Sequence, residues 1–159
     1  MSSTPAGERC ILKRQLRIGE SSYVDALRLR YEVFFKPHGL GPDAVEDGLD
    51  QHSRHLALLA EGKLVAYGRM TPEGMNRASF SQMVVSPAHQ GTGLGGMLLS
   101  WMIGICEQAE IEITVLEARV GKKGFYEKHG FRSVGNIHPS RRTGILHVRM
   151  EKQIRGHRK

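Results

Sequence analysis

The sequence predicts an α+β domain of the three-layer α/β kind, in which helices cover a sheet. Three observations carry this. Short apolar runs rich in β-branched residues occur on both sides of the middle of the chain, as strands require. Leu94, Met97, Leu98, Trp101 and Ile105 recur at helical spacing, as an amphipathic helix requires. Between these two kinds of pattern lies the glycine turn Gln90-Gly91-Thr92-Gly93-Leu94-Gly95-Gly96, which opens that helix. The predicted order is β-α-β-β-β-turn-α-β-α-β-β.

Each element has its own warrant. Cys10, Ile11, Leu12, Leu16 and Ile18 mark a first strand within Cys10–Ile18, with Lys13, Arg14 and Arg17 facing outward. Ser22-Tyr-Val-Asp25 resembles a capping box and predicts a helix start. Val24, Leu27, Tyr31 and Phe34 would form the inner face of that helix, and Pro37 and Gly39 would end it. Residues 37–55 are glycine-rich and acidic, with Asp43, Glu46, Asp47 and Asp50, followed by His52 and His55. They are expected either to line an acceptor-amine site or lid, favouring a cationic acceptor, or to form a solvated loop. His52-x-x-His55 beside Asp50 lacks the wider ligand pattern of a metal site, so no metal is expected. The runs 55–60 and 64–70, joined by Glu61-Gly62-Lys63, predict a tight hairpin. A further strand spans Ala78–Ser86, where Pro87 stops it. After the long helix come a strand over Ile111–Glu117 and a short helix over Lys122–His129 with Gly130 as its left-handed cap. Two last strands follow, at Phe131–Val134 and Ile145–Met150.

The glycine turn carries the chemistry. Glycines at a helix start leave the first N–H groups bare and let a ligand approach the backbone. Together with the positive helix end they make a phosphate site. Gly91, Gly93 and Gly96 fit G-x-G-x-x-G, and Glu117 falls about where a ribose-binding acid would stand, so a dinucleotide fingerprint is one reading. In that fold the first glycine follows the strand almost at once, whereas Ser86-Pro87-Ala88-His89-Gln90 intervene here. A tight turn without a ligand is a further reading.

Bulk properties narrow the class. At 159 residues, 40% hydrophobic and 25% charged, the chain is most simply one globular domain. No apolar run approaches the roughly 20 residues of a membrane span, and Met-Ser-Ser-Thr-Pro-Ala-Gly-Glu has no signal pattern. A cytoplasmic location without export is therefore expected. Cys10 and Cys106 are read as thiols rather than a disulfide, with Cys106 a small buried hydrophobe. Of the formal +7, residues 141–159 contribute +6, leaving +1 for the rest. A nucleic-acid binder would carry a basic face on folded elements, so nucleic acid is not the expected partner.

The glycine turn also resembles the pyrophosphate loop of the GNAT (Gcn5-related) acyltransferases, whose Q/R-x-x-G-x-G/A signature is matched by Gln90-x-x-Gly93-x-Gly95. Val85-x-Pro87 resembles that superfamily's V-x-P, and Phe125-Tyr126-Glu127-Lys128-His129-Gly130-Phe131 its F-Y-x-x-x-G-F. Arg28-x-x-Tyr31-x-Val33-Phe34, Asp50, His55-Leu56, Gly68-Arg69 and 144–150 are similar to the ElaA-like branch. Gln82, Gln90 and Arg119 depart from it, standing where Arg, Arg and Asn are commoner. The resemblance implies a GNAT-like fold, a mixed and mostly antiparallel sheet splayed between its fourth and fifth strands. It divides the chain into an N-terminal segment 1–8, one acyltransferase domain 9–151 and a basic tail 152–159.

The resemblance also implies a reaction: transfer of acetyl from acetyl-CoA, without a metal, to a small-molecule or peptide primary amine by direct attack. The pantetheine would pair with backbone groups of Met83, Val84 and Val85. The pyrophosphate would sit on N–H groups of Gly91, Thr92, Gly93, Leu94, Gly95 and Gly96 with Gln90 alongside. Tyr126 would serve the departing thiolate. Glu117, acting through water in that scheme, is the first candidate base and His89 the second. Trp101 is read as core. A non-catalytic acyl-CoA-binding module and a nicotinamide-dependent oxidoreductase are the alternatives, and a homodimer is left open.

Overall fold

The computed structural model describes residues 10–154. The expected N-terminal segment 1–8 lies outside the described residues, as does the expected basic tail 152–159 from Arg155 on, whereas Lys152 and Gln153 belong to the last strand.

The chain begins with β1 (Ile11–Leu16) and α1 (Ser21–Arg30). The helix starts one residue before the expected Ser22, with Glu20 at its N-cap position and no side chain capping it. The Glu20 carboxylate is engaged in the preceding turn, where it accepts from the Arg17 N–H at 2.5 Å and pairs with Arg14. Past Arg30 the helix widens into a π turn (Tyr31–Phe35), tightens into a 3-10 turn (Lys36–His38) and stops at Gly39, which is left-handed at φ 76°. Two more 3-10 turns, Pro42–Val45 and Asp50–His52, shape the acidic stretch.

Next come β2 (Arg54–Ala60) and β3 (Lys63–Pro72). Their two-residue turn has positive φ at both Glu61 (53°) and Gly62 (80°), the primed geometry that matches strand twist in a tight hairpin. Then follow β4 (Arg77–Val85), α2 (Leu94–Gln108), β5 (Ile113–Arg119), α3 (Lys123–Lys128), β6 (Arg132–Ser133), β7 (His138–Pro139) and β8 (Leu146–Gln153). β7 has no counterpart in the sequence reading. β8 runs past the expected Met150 to Gln153, and Ile154 is buried.

The eight strands form one sheet in the order β1-β2-β3-β4-β5-β8-β6, with β7 also on β8. β4 and β5 are parallel, whereas β1–β2, β5–β8, β6–β8 and β7–β8 are antiparallel. The sheet is therefore mixed, as expected. The chain forms two compact units. One comprises residues up to Arg69 with Gln82–Leu98, the other Met70–Ser81 with residues from Leu99 on.

In the first unit the core gathers Leu16, Tyr23, Ala26, Ala57, Leu59, Tyr67 and Val84, with Leu27, Leu29, Val33, Phe34 and Leu64 packed on it. The inner face of α1 is thus only partly the predicted one, since Leu27 and Phe34 pack on this core as expected. Ser22, Tyr23, Ala26 and Arg30 are buried, while Val24 is 45% exposed. In the second unit Phe80 meets Phe131 edge-on at 6.3 Å between ring centres. Val115, Leu116, Val148 and Met150 are buried there as well. On α2 the buried stripe is Leu94, Leu98, Leu99, Met102 and Cys106, rotated from the predicted one, so that Trp101 is half-buried rather than core. Cys106 is buried as expected, and Cys10 is exposed.

Candidate active site

In the first unit the candidate ligand-binding residues are contiguous. The parallel pairing of β4 with β5 runs from Arg77↔Ile113 to Phe80↔Leu116 and β4 then continues to Val85. Gln82 interrupts the extended backbone with φ 56°, a left-handed conformation uncommon outside glycine. Met83, Val84 and Val85 follow, and the Ser86 N–H donates to Val65 O at 2.9 Å. After the turn Pro87–His89, two hydrogen bonds fold the loop on itself. Gln90 Nε2 donates to Val85 O (3.2 Å) and the Thr92 hydroxyl to His89 O (2.5 Å). The Gln90 amide is therefore turned back towards β4. The Nδ1 of His89 is enclosed with no hydrogen-bond partner.

Gly91 (φ 79°) and Gly93 (φ 87°) both take left-handed conformations, which explains why the turn needs glycine. A Cβ added at either would meet nothing within 4 Å, so the space in front of this backbone is open. The Met97 N–H donates to Gly93 O at 3.1 Å, the first bond of α2. The N–H groups of Leu94, Gly95 and Gly96 then have no acceptor inside the helix. Helix-start N–H groups without an acceptor in the helix, open space and the positive end of a 15-residue helix are what a phosphate site requires.

The second unit holds the two predicted catalytic side chains. Glu117 on β5 lies opposite Arg149 on β8, whose Nη1 donates to it at 3.3 Å. His138 on β7 bonds its other oxygen through Nε2 at 2.9 Å. Both oxygens thus carry a donor, and the side chain is 44% exposed. Tyr126 on α3 is half-buried against the rings of Phe125 (5.0 Å) and Phe131 (5.9 Å). Burial pushes its phenol up to about 12, so it stays an O–H donor at neutral pH. Gly130, left-handed at φ 93°, ends α3 as expected, and the N–H groups of His129 and Phe131 both donate to Tyr126 O.

The first unit also contains a charge network. Arg30 and Arg69 are 0% and 1% exposed. Asp50 bridges them, accepting from Arg30 Nη1 (2.9 Å), Arg69 Nη1 (2.8 Å) and the Tyr23 hydroxyl (2.5 Å). Asp47 takes both terminal nitrogens of Arg69 at 2.9 and 2.7 Å. Arg30 also donates through Nε to Gln82 Oε1 (3.3 Å) and through Nη1 to the Tyr67 hydroxyl (3.4 Å). Burial alone would push the Asp50 carboxyl up, but the bonds from Arg30, Tyr23 and Arg69 outweigh it and hold it well below the usual carboxylate range. Asp47 behaves likewise, with Arg69 and the Leu49 N–H opposing burial. Burial pushes His55 down, so it is neutral at pH 7. Its Nε2 faces Asp50 O (2.8 Å), which only accepts, so Nε2 carries the proton and Nδ1 accepts from the Tyr67 hydroxyl (2.6 Å).

This narrows the reading of residues 37–55 at two of its four carboxylates. The carboxylates of Asp47 and Asp50 are paired with buried arginines, whereas Asp43 and Glu46 are exposed. Both nitrogens of His55 are engaged as well, and among the described residues no three His, Cys, Asp or Glu side chains are grouped to hold a metal. Asp50, Arg69 and Gln82 stand at positions the resemblance marks, but nothing in the sequence singled out Arg30. The available signal was its spacing of four and seven residues from Ala26 and Tyr23, which puts it on their helical face.

Comparison with known proteins agrees with this architecture. A profile of the acetyltransferase (GNAT) domain matches residues 21–154. The chain is 25% identical over 141 residues to an uncharacterized N-acetyltransferase, YjcF, of Bacillus subtilis, covering 89% of this chain and 99% of that protein. In fold it is similar to Escherichia coli ElaA, with a TM-score of 0.77 at 24% identity over 91% of this chain and all of that one. A GNAT acetyltransferase of Elizabethkingia anophelis, solved with acetyl-CoA bound, superposes with a TM-score of 0.70 at 14% identity, covering 90% of this chain and 97% of that one.

Proposed function

The chain belongs to the acetyltransferase (GNAT) domain family, and from that premise we propose that it carries an acetyl group from acetyl-CoA to a primary amine, by direct attack while both are bound. The observation that carries the reading is the glycine turn. Gly91 and Gly93 are left-handed with open space before them, directly ahead of the N–H groups that begin α2. A pyrophosphate has the charge and the size for that seat. Thr92 and Gln90 belong to the same loop. The pantetheine is assigned to the backbone of Met83, Val84 and Val85, which it would meet as an added strand meets a sheet edge.

Two protons must be handled. The amine has to lose one before or during attack, and Glu117, reached through water, is the assigned acceptor. The donors at 2.9 and 3.3 Å from His138 and Arg149 fix its orientation. Tyr126 is assigned to the departing sulfur. Its phenol, at about 12, is a weaker acid than a thiol at roughly 8.5. Complete transfer to the thiolate would therefore be uphill, and the role that fits is a hydrogen bond to sulfur as negative charge builds there. The acceptor is a small-molecule or peptide amine. A cytoplasmic location fits Cys10 and Cys106, neither of which is bridged.

Ligand-dependent melting tests the reading. A ligand at about 100 times its dissociation constant adds roughly 2.7 kcal/mol, which at this size raises Tm by about 5–10 °C. Acetyl-CoA and CoA are expected to give that rise, and NADH none. No shift at millimolar acetyl-CoA would overturn the assignment of the glycine turn. Thiol release over a panel of amines then separates transfer from mere binding.

A further inference from the structure

The stretch assigned to pantetheine begins directly after a strained residue. Three described non-glycine residues have positive φ: Glu61, Gln82 and Glu110. Glu61 lies in the hairpin turn and Glu110 just past the end of α2, where such conformations are ordinary. Gln82 lies inside β4, two residues after Phe80, the last to pair with β5. A single left-handed residue within a strand bends it and re-aims the residues that follow, as a bulge does. Conformations of this kind persist only where the surroundings hold them.

Arg30 bonds the side chain of Gln82. Its Nε donates to Gln82 Oε1 at 3.3 Å, and the arginine has no freedom to follow a moving partner. Asp50 takes its Nη1 at 2.9 Å, Val45 O accepts from its Nη2 at 3.5 Å, and its guanidinium lies 5.4 Å from the centre of the Tyr67 ring. Asp50 is in turn held by Arg69 and Tyr23. A run of bonds therefore leads from the 47–50 turn through a fully buried guanidinium to the bend in β4. Two residues beyond the bend, Val84 is buried in the same core as Tyr23, Ala26 and Tyr67. Buried ion pairs are often no better for stability than apolar side chains of the same volume. Stability alone therefore gives no reason for an arginine on the inner face of α1, whereas a directional bond to Gln82 does.

We propose that Arg30 is a positioning residue: through Gln82 it fixes the bend of β4, and with it the direction in which the backbone groups of Met83, Val84 and Val85 meet acyl-CoA. This rests on the acetyl-CoA reading above. The test measures the dissociation constant for acetyl-CoA by calorimetry and the Tm of the unliganded protein, for the parent and two Gln82 variants. Gln82→Gly accepts the left-handed backbone without strain but gives Arg30 no acceptor. Its unliganded Tm is expected to stay within a few degrees of the parent's, relief of backbone strain offsetting the unpaired Nε of buried Arg30, while binding weakens about tenfold, as loss of one directing hydrogen bond implies. Gln82→Glu keeps an oxygen for Arg30 Nε and is expected to bind within about twofold of the parent. Arg30→Lys, which loses the Nε donor, is expected to weaken binding as the glycine variant does. If it does not fold, the two Gln82 variants decide. Parental affinity in Gln82→Gly, or equal losses in the Gly and Glu variants, would overturn the proposal and leave the Arg30–Gln82 bond purely structural. A parent protein that does not bind acetyl-CoA would instead overturn the functional reading, and this inference with it.

Discussion

Asp50→Asn is expected to cost about 3 kcal/mol of stability, the low end of the roughly 3–5 kcal/mol seen when one partner of a buried ion pair is removed. The carboxylate is 19% exposed and serves two arginines that are essentially unexposed. An amide keeps an acceptor oxygen but leaves those arginines with one charge too few. At this chain length the loss lowers Tm by about 6–12 °C. Asp43→Asn, on an exposed residue of the same stretch, is expected to stay within about 0.5 kcal/mol. The pH dependence carries the same signature. Asp50 and Asp47 are depressed in the folded protein, so their contribution is complete above the unfolded carboxylate range and is lost as pH falls through the folded values. The parent should therefore lose stability progressively below about pH 4, where unfolded aspartate begins to take up protons, and Asp50→Asn should lose less over that window. Urea midpoints from pH 7 down to pH 2.5 check both claims. A parental midpoint at pH 7 in the Asn variant would show that the buried arginines do not depend on Asp50.

Tyr126→Phe is expected to lower kcat about 100-fold and leave the dissociation constant for acetyl-CoA within about twofold. A hydrogen-bond donor aimed at charge that develops in the transition state is worth roughly 10²–10³ in kcat, and a thiolate leaves fairly well unaided, which favours the low end. The phenylalanine keeps the edge-on contacts with Phe125 and Phe131, so Tm should stay close to the parent's. Because the phenol is held up to about 12, the parent should show no fall in kcat from this residue below about pH 10. The loss in the variant should also shrink when the leaving thiol is more acidic, since its thiolate needs the hydrogen bond less. An equal loss for every leaving thiol would return Tyr126 to a packing role.

Local patterns made most of this fold legible in advance. The Glu61-Gly62 hairpin, the Gly130 cap and the glycine turn each depend on neighbours in sequence, and each is found where the residues indicate. The inner face of α1 was only partly legible, because it was sought among apolar residues: Leu27 and Phe34 do pack on the core. Val24 was chosen for its hydrophobicity, yet it faces outward while Arg30 faces in. A buried arginine leaves no apolar signature. Its place is set by Asp50, Tyr67 and Gln82, which lie 20, 37 and 52 residues away along the chain. The acidic stretch was only partly legible for the same reason, since its partners Arg30 and Arg69 lie outside it. β7 is two residues long and pairs only through β8, too short for any period to show. Glu117 was placed correctly near the end of its strand, but its donors come from β7 and β8 and could not be read from β5 alone.

The arrangement of Arg30, Arg69, Asp47 and Asp50 also constrains how the sequence can drift. Their formal charges cancel around two unexposed guanidiniums, so losing Arg30, Arg69 or Asp50 leaves a charge without its counter-ion. Single steps away from this quartet pass through a deeply unfavourable intermediate. Steps that exchange an arginine and its aspartate together do not, because contacting residues are strongly non-additive. The four positions therefore act as one heritable unit. In a combinatorial library, surviving changes at 69 should arrive with changes at 47, and those at 30 with changes at 50 and 82, while exposed Asp43 varies on its own.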